Sequence, residues 1–323
     1  MANLSAKILN SKMQLLLELI KVARPIHWIK NLALFAALIF TGKLFESTHF
    51  SKTLFAFISF NLATSAAYIF NDLLDAKEDR LHPIKRFRPI ASRKLPTFFA
   101  LVAIFAFISS SLFIADKLNS LFFLTVSGYL FLQTFYSLGL KNIPIIDILI
   151  IAAGFIIRVY AGAFVINAHL SVWFLLCVIS VALFLASGKR RAELGSISSA
   201  KGITRKSLSK YTDTLLDSYV TMFANATWMS WALFTFFESP PASIPVWIFL
   251  AEISRTTTIS KLLMSTIPLV IFGIMRYQAL IFENRSEAPE KLLLTDKALV
   301  SSVILWTGLV IWILYGGVAH TTY

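Results

Sequence analysis

Apolar residues run along this chain in long blocks separated by short polar stretches. A helix needs about 20 mostly apolar residues to cross a bilayer. Blocks near that length fall at 28–42, 54–71, 97–115, 119–138, 146–166, 171–187, 218–237, 263–282 and 299–317. The pattern predicts an all-α fold, a polytopic integral membrane bundle of about nine transmembrane helices. The apolar stretch Ile244 to Ile253 is too short to span and is expected at the membrane interface. Near the N-terminus, Leu15, Leu16, Leu19 and Ile20 recur at helical spacing among Lys12, Glu18, Lys21 and Arg24, and Pro25 ends the pattern. Residues 1–27 therefore read as an amphipathic interfacial segment, not a cleaved signal peptide. Residues 28–323 read as one transmembrane domain, with the polar stretch Gly188 to Asp217 as a loop.

Composition supports this reading. At 57% hydrophobic and 15% charged residues, with a mean hydropathy of +0.73, the chain has too little polar surface to cover a soluble globule. The net charge of +13 is unevenly distributed. With a cytosolic N-terminus and nine helices, 24 of the 30 basic residues fall on the cytosolic side, leaving Lys43, Lys52, Lys117, Arg255 and Lys261 opposite and Arg158 inside a helix. That asymmetry predicts a multi-pass protein of the cell membrane whose charged loops face the cytosol. The basic charge thus reflects orientation and an anion site, and no nucleic acid partner is expected. The single cysteine, Cys177, lies within an apolar block and is expected to be a buried thiol.

The candidate chemistry gathers in those cytosolic segments. At the exit of the second block stands Asn71-Asp72-Leu73-Leu74-Asp75-Ala76-Lys77-Glu78-Asp79. If the helix runs on, Asn71, Asp75 and Asp79 lie on one side at i, i+4 and i+8. Hard oxygen donors in that pattern suit Mg²⁺, with Mn²⁺ as an alternative, carrying a diphosphate. Asp72 is either a further ligand or a hydrogen-bonding group at the helix end. Lys85, Arg86 and Arg88 follow and are expected to hold phosphate oxygens. The alternative is a solvated loop that merely obeys the charge asymmetry.

The loop after the fourth block carries Tyr136 and Lys141, and the next helix contains Asp147 and Arg158 on one face, about 16 Å apart along the axis. An arginine near mid-membrane costs at least about 2.5 kcal/mol, so Arg158 must face either a polar cavity or packing partners. After the sixth block come Lys189, Arg190, Arg191 and Glu193, then Lys201, Arg205, Lys206, Lys210 and Tyr211. Lys189 and Arg190, at a helix exit, read as phosphate ligands, although Glu193 stands one turn from Lys189.

The motif Asn71-Asp72-x-x-Asp75-x-x-x-Asp79 in a nine-helix chain resembles the UbiA superfamily of intramembrane prenyltransferases. The segment His82-Pro83-x-Lys85-Arg86-x-Arg88-Pro89-Ile90-Ala91, with Tyr136-Ser137, Leu140-Lys141, Asp147, Gly154-Phe155-x-x-Arg158, Lys189-Arg190, Glu193-Leu194 and Arg276-Tyr277, is similar within it to the decaprenyl-phosphate phosphoribosyltransferases. The resemblance implies Mg²⁺-dependent transfer of a 5-phosphoribosyl group from phosphoribosyl diphosphate to a long-chain polyprenyl phosphate. It implies metal binding by Asn71, Asp72, Asp75 and Asp79. Phosphate binding falls to Lys85, Arg86, Arg88, Lys141, Arg158, Lys189 and Arg190. The catalytic group is Asp75, Asp79, Lys85, Lys141 and Tyr136, with His82 in reserve. Conventional members carry a second aspartate-rich motif where this chain has Lys189-Arg190-Arg191-Ala192-Glu193, a change that suits a donor and acceptor rich in phosphate. A conventional prenyltransferase and a lipid-phosphate transporter are the competing readings; the latter gives no reason for clustered carboxylates.

Overall fold

The structure, a computed structural model, describes residues 2–199, 207–238, 240, 261–283 and 295–317. It is helical throughout these residues. The elements are α1 (Ala2–Ala23), a 3-10 segment Pro25–Leu34 leading into α2 (Phe35–Phe40), α3 (Ser47–Leu74), α4 (Ala76–Leu81), α5 (Thr97–Leu118) and α6 (Ser120–Leu138). They continue with α7 (Ile146–Val165), α8 (Val172–Ser199), α9 (Asp213–Phe237), α10 (Ile267–Phe282) and α11 (Lys297–Tyr315). Among the described residues, seven helices are long and apolar enough to cross a membrane, and Pro25–Phe40 is a shorter apolar helix. Two expected spans fall outside that set. The 28–42 block is short and opens as 3-10 helix, whereas the 218–237 block sits within α9, which is long but carries more polar residues. Lys201, Arg205 and Lys206 and the 244–253 stretch lie outside the described residues.

The expected loop at 188–217 needs correcting. Helix α8 runs on through Ser199, so Lys189, Arg190, Arg191 and Glu193 are helical. The cause is visible in the packing: Arg190 and Ala192 are buried, and the helix continues because its polar residues have partners in neighbouring helices.

Helices α3 and α7 form the centre of the bundle, with 56% of their apolar windows buried, against 22% for α5 and α6. Small residues let the helices approach. Ser59 on α3 and Ser111 on α5 each donate to the other's backbone carbonyl, at 2.8 and 2.7 Å. At Gly162 a Cβ would sit 1.9 Å from the Leu34 carbonyl oxygen, so α7 can meet the 3-10 segment only without a side chain there. Phe98, Phe105, Phe113, Phe131 and Ile304 point outward and supply the apolar surface that lipid would cover.

Helix α1 ends at Arg24, which takes a left-handed conformation (φ 53°) just before Pro25. Leu15, Leu19 and Val22 pack against Ile69 and Leu73 of α3, while Leu16 and Ile20 remain exposed. The helices alternate in direction, so the C-terminal ends of α3, α6 and α8 meet the N-terminal ends of α7 and α9. Cross-links there include Lys141 to Asp75, Arg190 to Asp147 and Arg191 to Asp213. At the opposite end, Asn119 donates to the Phe164 carbonyl at 2.8 Å and Tyr315 to the Ile39 carbonyl at 2.6 Å.

Candidate active site

The chain keeps helical hydrogen bonding across the end of α3: Asp75 N–H donates to the Asn71 carbonyl at 2.9 Å and Asp79 N–H to the Asp75 carbonyl at 2.8 Å. The polar face anticipated for Asn71 and Asp75 is present, since Asn71 Nδ2 donates to Asp75 Oδ2 at 2.9 Å. Lys141, from the 3-10 turn Leu140–Asn142, reaches both residues; it donates to Asn71 Oδ1 at 3.1 Å and forms an ion pair with Asp75.

Asp72 and Asp79 share a different cation. Arg88 donates to Asp79 Oδ2 at 2.6 Å and to Asp72 Oδ1 at 3.2 Å, and Arg24 reaches the same Asp72 oxygen at 2.5 Å. Asp72 is therefore buried between two arginines, tying the end of α1 to α3. Burial pushes the Asp79 carboxyl above its ordinary value, and Arg88 opposes that shift.

Asp75 and Asp79 line one cavity of about 280 Å³ together with Leu74, Glu78, His82, Lys85, Ser137, Leu138, Lys141 and Asn142. Glu78 was not anticipated, yet it stands one turn beyond Asp75, where a helical face would put it. The His82 Nδ1 accepts the backbone N–H groups of Ile84 and Lys85 at 3.2 and 3.3 Å, which orients the ring. Asn71, Asp72, Arg86, Arg88, Arg158, Lys189, Arg190 and Tyr136 are not among the lining residues. Arg86 is exposed and lies over the Phe87 ring at 4.8 Å.

No group of three or more His, Cys, Asp or Glu side chains among the described residues is close enough to hold a metal alone. The donor set nevertheless fits Mg²⁺, which is held by one or two carboxylates together with water and phosphate oxygens. Asp75 and Asp79 open onto the same space, and the cations now facing them mark where positive charge is favoured.

Arg190 departs most from its expected role. It is fully buried, pairs through Nε with Asp147 at 2.7 Å, pairs with Glu193, and donates from Nη2 to the Tyr136 hydroxyl at 2.8 Å. The Tyr211 hydroxyl donates to the other Asp147 oxygen at 2.8 Å. Burial raises the Tyr211 hydroxyl above its ordinary value, which keeps it the proton donor to Asp147. Arg191 clamps α8 to α9 through Asp217 at 2.5 Å and Asp213 at 3.1 Å. Two of the three consecutive cations are thus engaged by carboxylates, and Lys189 is half-buried beside them.

Arg158 lies further along α7, away from the cavity. It donates from Nε to Asn31 Oδ1 at 2.6 Å, from Nη2 to the Tyr129 hydroxyl at 3.1 Å, and to the Gly154 carbonyl. The rings of Phe60, Tyr129 and Phe155 surround its guanidinium at 5.0–5.7 Å. Arg276 pairs with Asp296, the N-cap of α11, at 2.7 Å, and these bonds hold the Asp296 carboxyl down at about 2.

The architecture is that of an integral membrane helical bundle with a cavity of carboxylates and ammonium groups at one end. Residues 32–257 match the UbiA prenyltransferase family. The chain is 34% identical over 310 residues to the decaprenyl-phosphate phosphoribosyltransferase of Corynebacterium glutamicum, covering 92% of this chain and 86% of the relative. It is 34% identical over 294 residues to the protein of that name from Mycolicibacterium smegmatis, covering 90% of each. Its structure is similar to that of a UbiA homolog from Archaeoglobus fulgidus bound to GPP and Mg²⁺, with a TM-score of 0.65 and 18% identity, covering 93% of this chain and 99% of the other. The chain belongs to the UbiA prenyltransferase family, and it is an integral membrane transferase.

Proposed function

We propose that this enzyme transfers the 5-phosphoribosyl group of phosphoribosyl diphosphate to a long-chain polyprenyl phosphate and releases diphosphate. The observation that carries the reading is the mixed charge of one cavity, with Asp75, Glu78 and Asp79 facing Lys85 and Lys141. Carboxylates suit a metal, whereas ammonium groups suit phosphates that the metal does not reach. The names of the curated relatives point to the same donor and acceptor.

Asp75 and Asp79, with the side-chain oxygen Oδ1 of Asn71 beside them, would hold Mg²⁺, and Mn²⁺ suits the same donors. The bound ion would supply charge neutralisation for the departing diphosphate. Asp72, committed to Arg24 and Arg88, positions the motif instead of contributing a ligand. Lys85 and Lys141 bind and orient phosphate oxygens. The acceptor phosphate is already ionised, so its oxygen forms the new bond to the ribosyl C1 as the bond from C1 to the diphosphate oxygen breaks, and no general base is required. Leu74 and Leu138 line the cavity and are also exposed outward, forming an apolar lip through which the polyprenyl tail passes into the bilayer.

Residues 1–27 form the interfacial segment and 28–323 the catalytic domain, in the cell membrane with the cavity toward the cytosol, where the basic residues gather. Labelling single cysteines introduced at Ser47 and Ser198, after replacement of Cys177, tests the orientation. Labelling from outside intact cells at 198 but not at 47 contradicts it.

A conventional prenyltransferase is the rival within the family, and the GPP of the archaeal homolog keeps it in view. Purified protein offered labelled phosphoribosyl diphosphate with polyprenyl phosphate, and separately labelled prenyl diphosphate with aromatic acceptors, decides between them. Product only in the second reaction overturns the proposal.

A further inference from the structure

The backbone at Pro144-Ile145-Ile146 turns through a left-handed conformation at Ile145. Ile145 has φ 70° and ψ −49°, and the Ile146 N–H donates to the Pro144 carbonyl at 2.8 Å. This is a γ-turn of the rare, strained hand, on a β-branched residue that L side chains disfavour there. Such a turn persists only where its surroundings hold it.

The holding group is Tyr211. Its hydroxyl accepts the Ile145 N–H at 2.6 Å and donates to Asp147 Oδ1 at 2.8 Å, fixing the strained residue and the first acidic residue of α7 together. Asp147 is then paired with Arg190, and Arg190 also binds Tyr136 at the end of α6. The stretch between these anchors is 137–144, of which Ser137, Leu138, Lys141 and Asn142 line the cavity. Both ends of the cavity's Lys141 wall are therefore tied down, one through Arg190 and Tyr136, the other through Tyr211.

We infer that Tyr211 is a positioning residue that props the strained turn at Ile145 and so sets where Lys141 stands in the cavity. Tyr211 does not line the cavity, and it acts through the backbone of another segment. The link to donor binding rests on the proposed function; the prop itself does not.

Rescue by glycine provides the test. Glycine takes positive φ without strain, and the Ile145 side chain is 50% exposed, so Ile145→Gly removes little packing. In purified protein, amide hydrogen exchange of a peptide spanning 139–148 should speed up at least tenfold in Tyr211→Phe. It should return to within about threefold of the parent in Tyr211→Phe/Ile145→Gly. The KM for phosphoribosyl diphosphate should rise about tenfold in the single variant and recover in the double, with Ile145→Gly alone near the parent in both readouts.

Unchanged exchange in Tyr211→Phe overturns the inference. So does a defect that Ile145→Gly leaves in place, because Tyr211 would then act only through packing around Asp147. Altered exchange with an unchanged KM breaks the connection to the site. A parent enzyme inactive toward phosphoribosyl diphosphate defeats the proposed function, while the exchange result still decides the prop.

Discussion

Among the described residues three arginines are buried, and two of them, Arg190 and Arg158, are kept charged in different ways. Arg190 meets two carboxylates, Asp147 and Glu193, at the end of the molecule that carries the cavity. Among the described residues Arg158 meets only neutral partners, Asn31, Tyr129 and the Gly154 carbonyl, and a cage of aromatic rings. Removing Arg190 strands negative charge in a buried place, whereas removing Arg158 strands only dipoles. The first is a staple across α6, α7 and α8; the second is a knot joining the 3-10 segment, α6 and α7. Both are engaged by protein groups, and the proposed function accordingly assigns phosphate binding to the lysines of the cavity.

The largest effect on stability is expected at Arg190. Arg190→Ala should destabilise the protein by about 3–5 kcal/mol, the usual cost of leaving a buried charge unpaired. Thermal unfolding in detergent checks this, and Arg190→Met/Asp147→Leu should recover much of the loss because the pair is removed together. A drop of less than about 1 kcal/mol in the single variant would mean that Asp147 has solvent or another cation.

Arg158→Met should cost less, about 1–3 kcal/mol, since it forfeits neutral hydrogen bonds and ring contacts without orphaning a carboxylate. Its KM for donor should stay within about twofold of the parent, because Arg158 does not reach the cavity. A larger loss than for Arg190→Ala would reverse the comparison.

The lysines give the smallest effects on stability and the sharpest contrast in binding. Lys85→Ala should raise the donor KM about tenfold to a hundredfold, the worth of one charge-assisted contact. Lys189→Ala should change it by about threefold or less, because Lys189 does not line the cavity. Steady-state kinetics of the two variants side by side separates a cavity cation from one that serves orientation and packing.

The architecture was legible because membrane crossing imposes its own length scale. Blocks of apolar residues could be counted, and the ends of α6 and α7 fell within a few residues of where hydropathy changed. The gathering of Asp75, Asp79 and Lys85 around one cavity was legible from spacing and charge. The burial of Arg190 was not legible because its partner lies 43 positions upstream on another helix. The available signal was Asp147 itself, an acid at the start of an apolar helix that demands a buried cation. Asp72 was ambiguous for a related reason: helical geometry separates it from Asn71 by about 100° but does not say that Arg24 and Arg88 converge on it. The Ile145 turn was invisible, since Pro144 indicates a break but not its hand.

The proposed function places metal-dependent phosphoribosyl transfer at the Asp75 and Asp79 cavity. Its most direct test is the initial rate of label transfer from phosphoribosyl diphosphate to polyprenyl phosphate by purified parent, Asp75→Asn and Asp79→Asn proteins, with EDTA and after Mg²⁺ is restored. The expected result is parent activity abolished by EDTA and recovered with Mg²⁺, and both variants nearly inactive while still folded. Transfer that persists in EDTA, or full activity in both variants, contradicts the account.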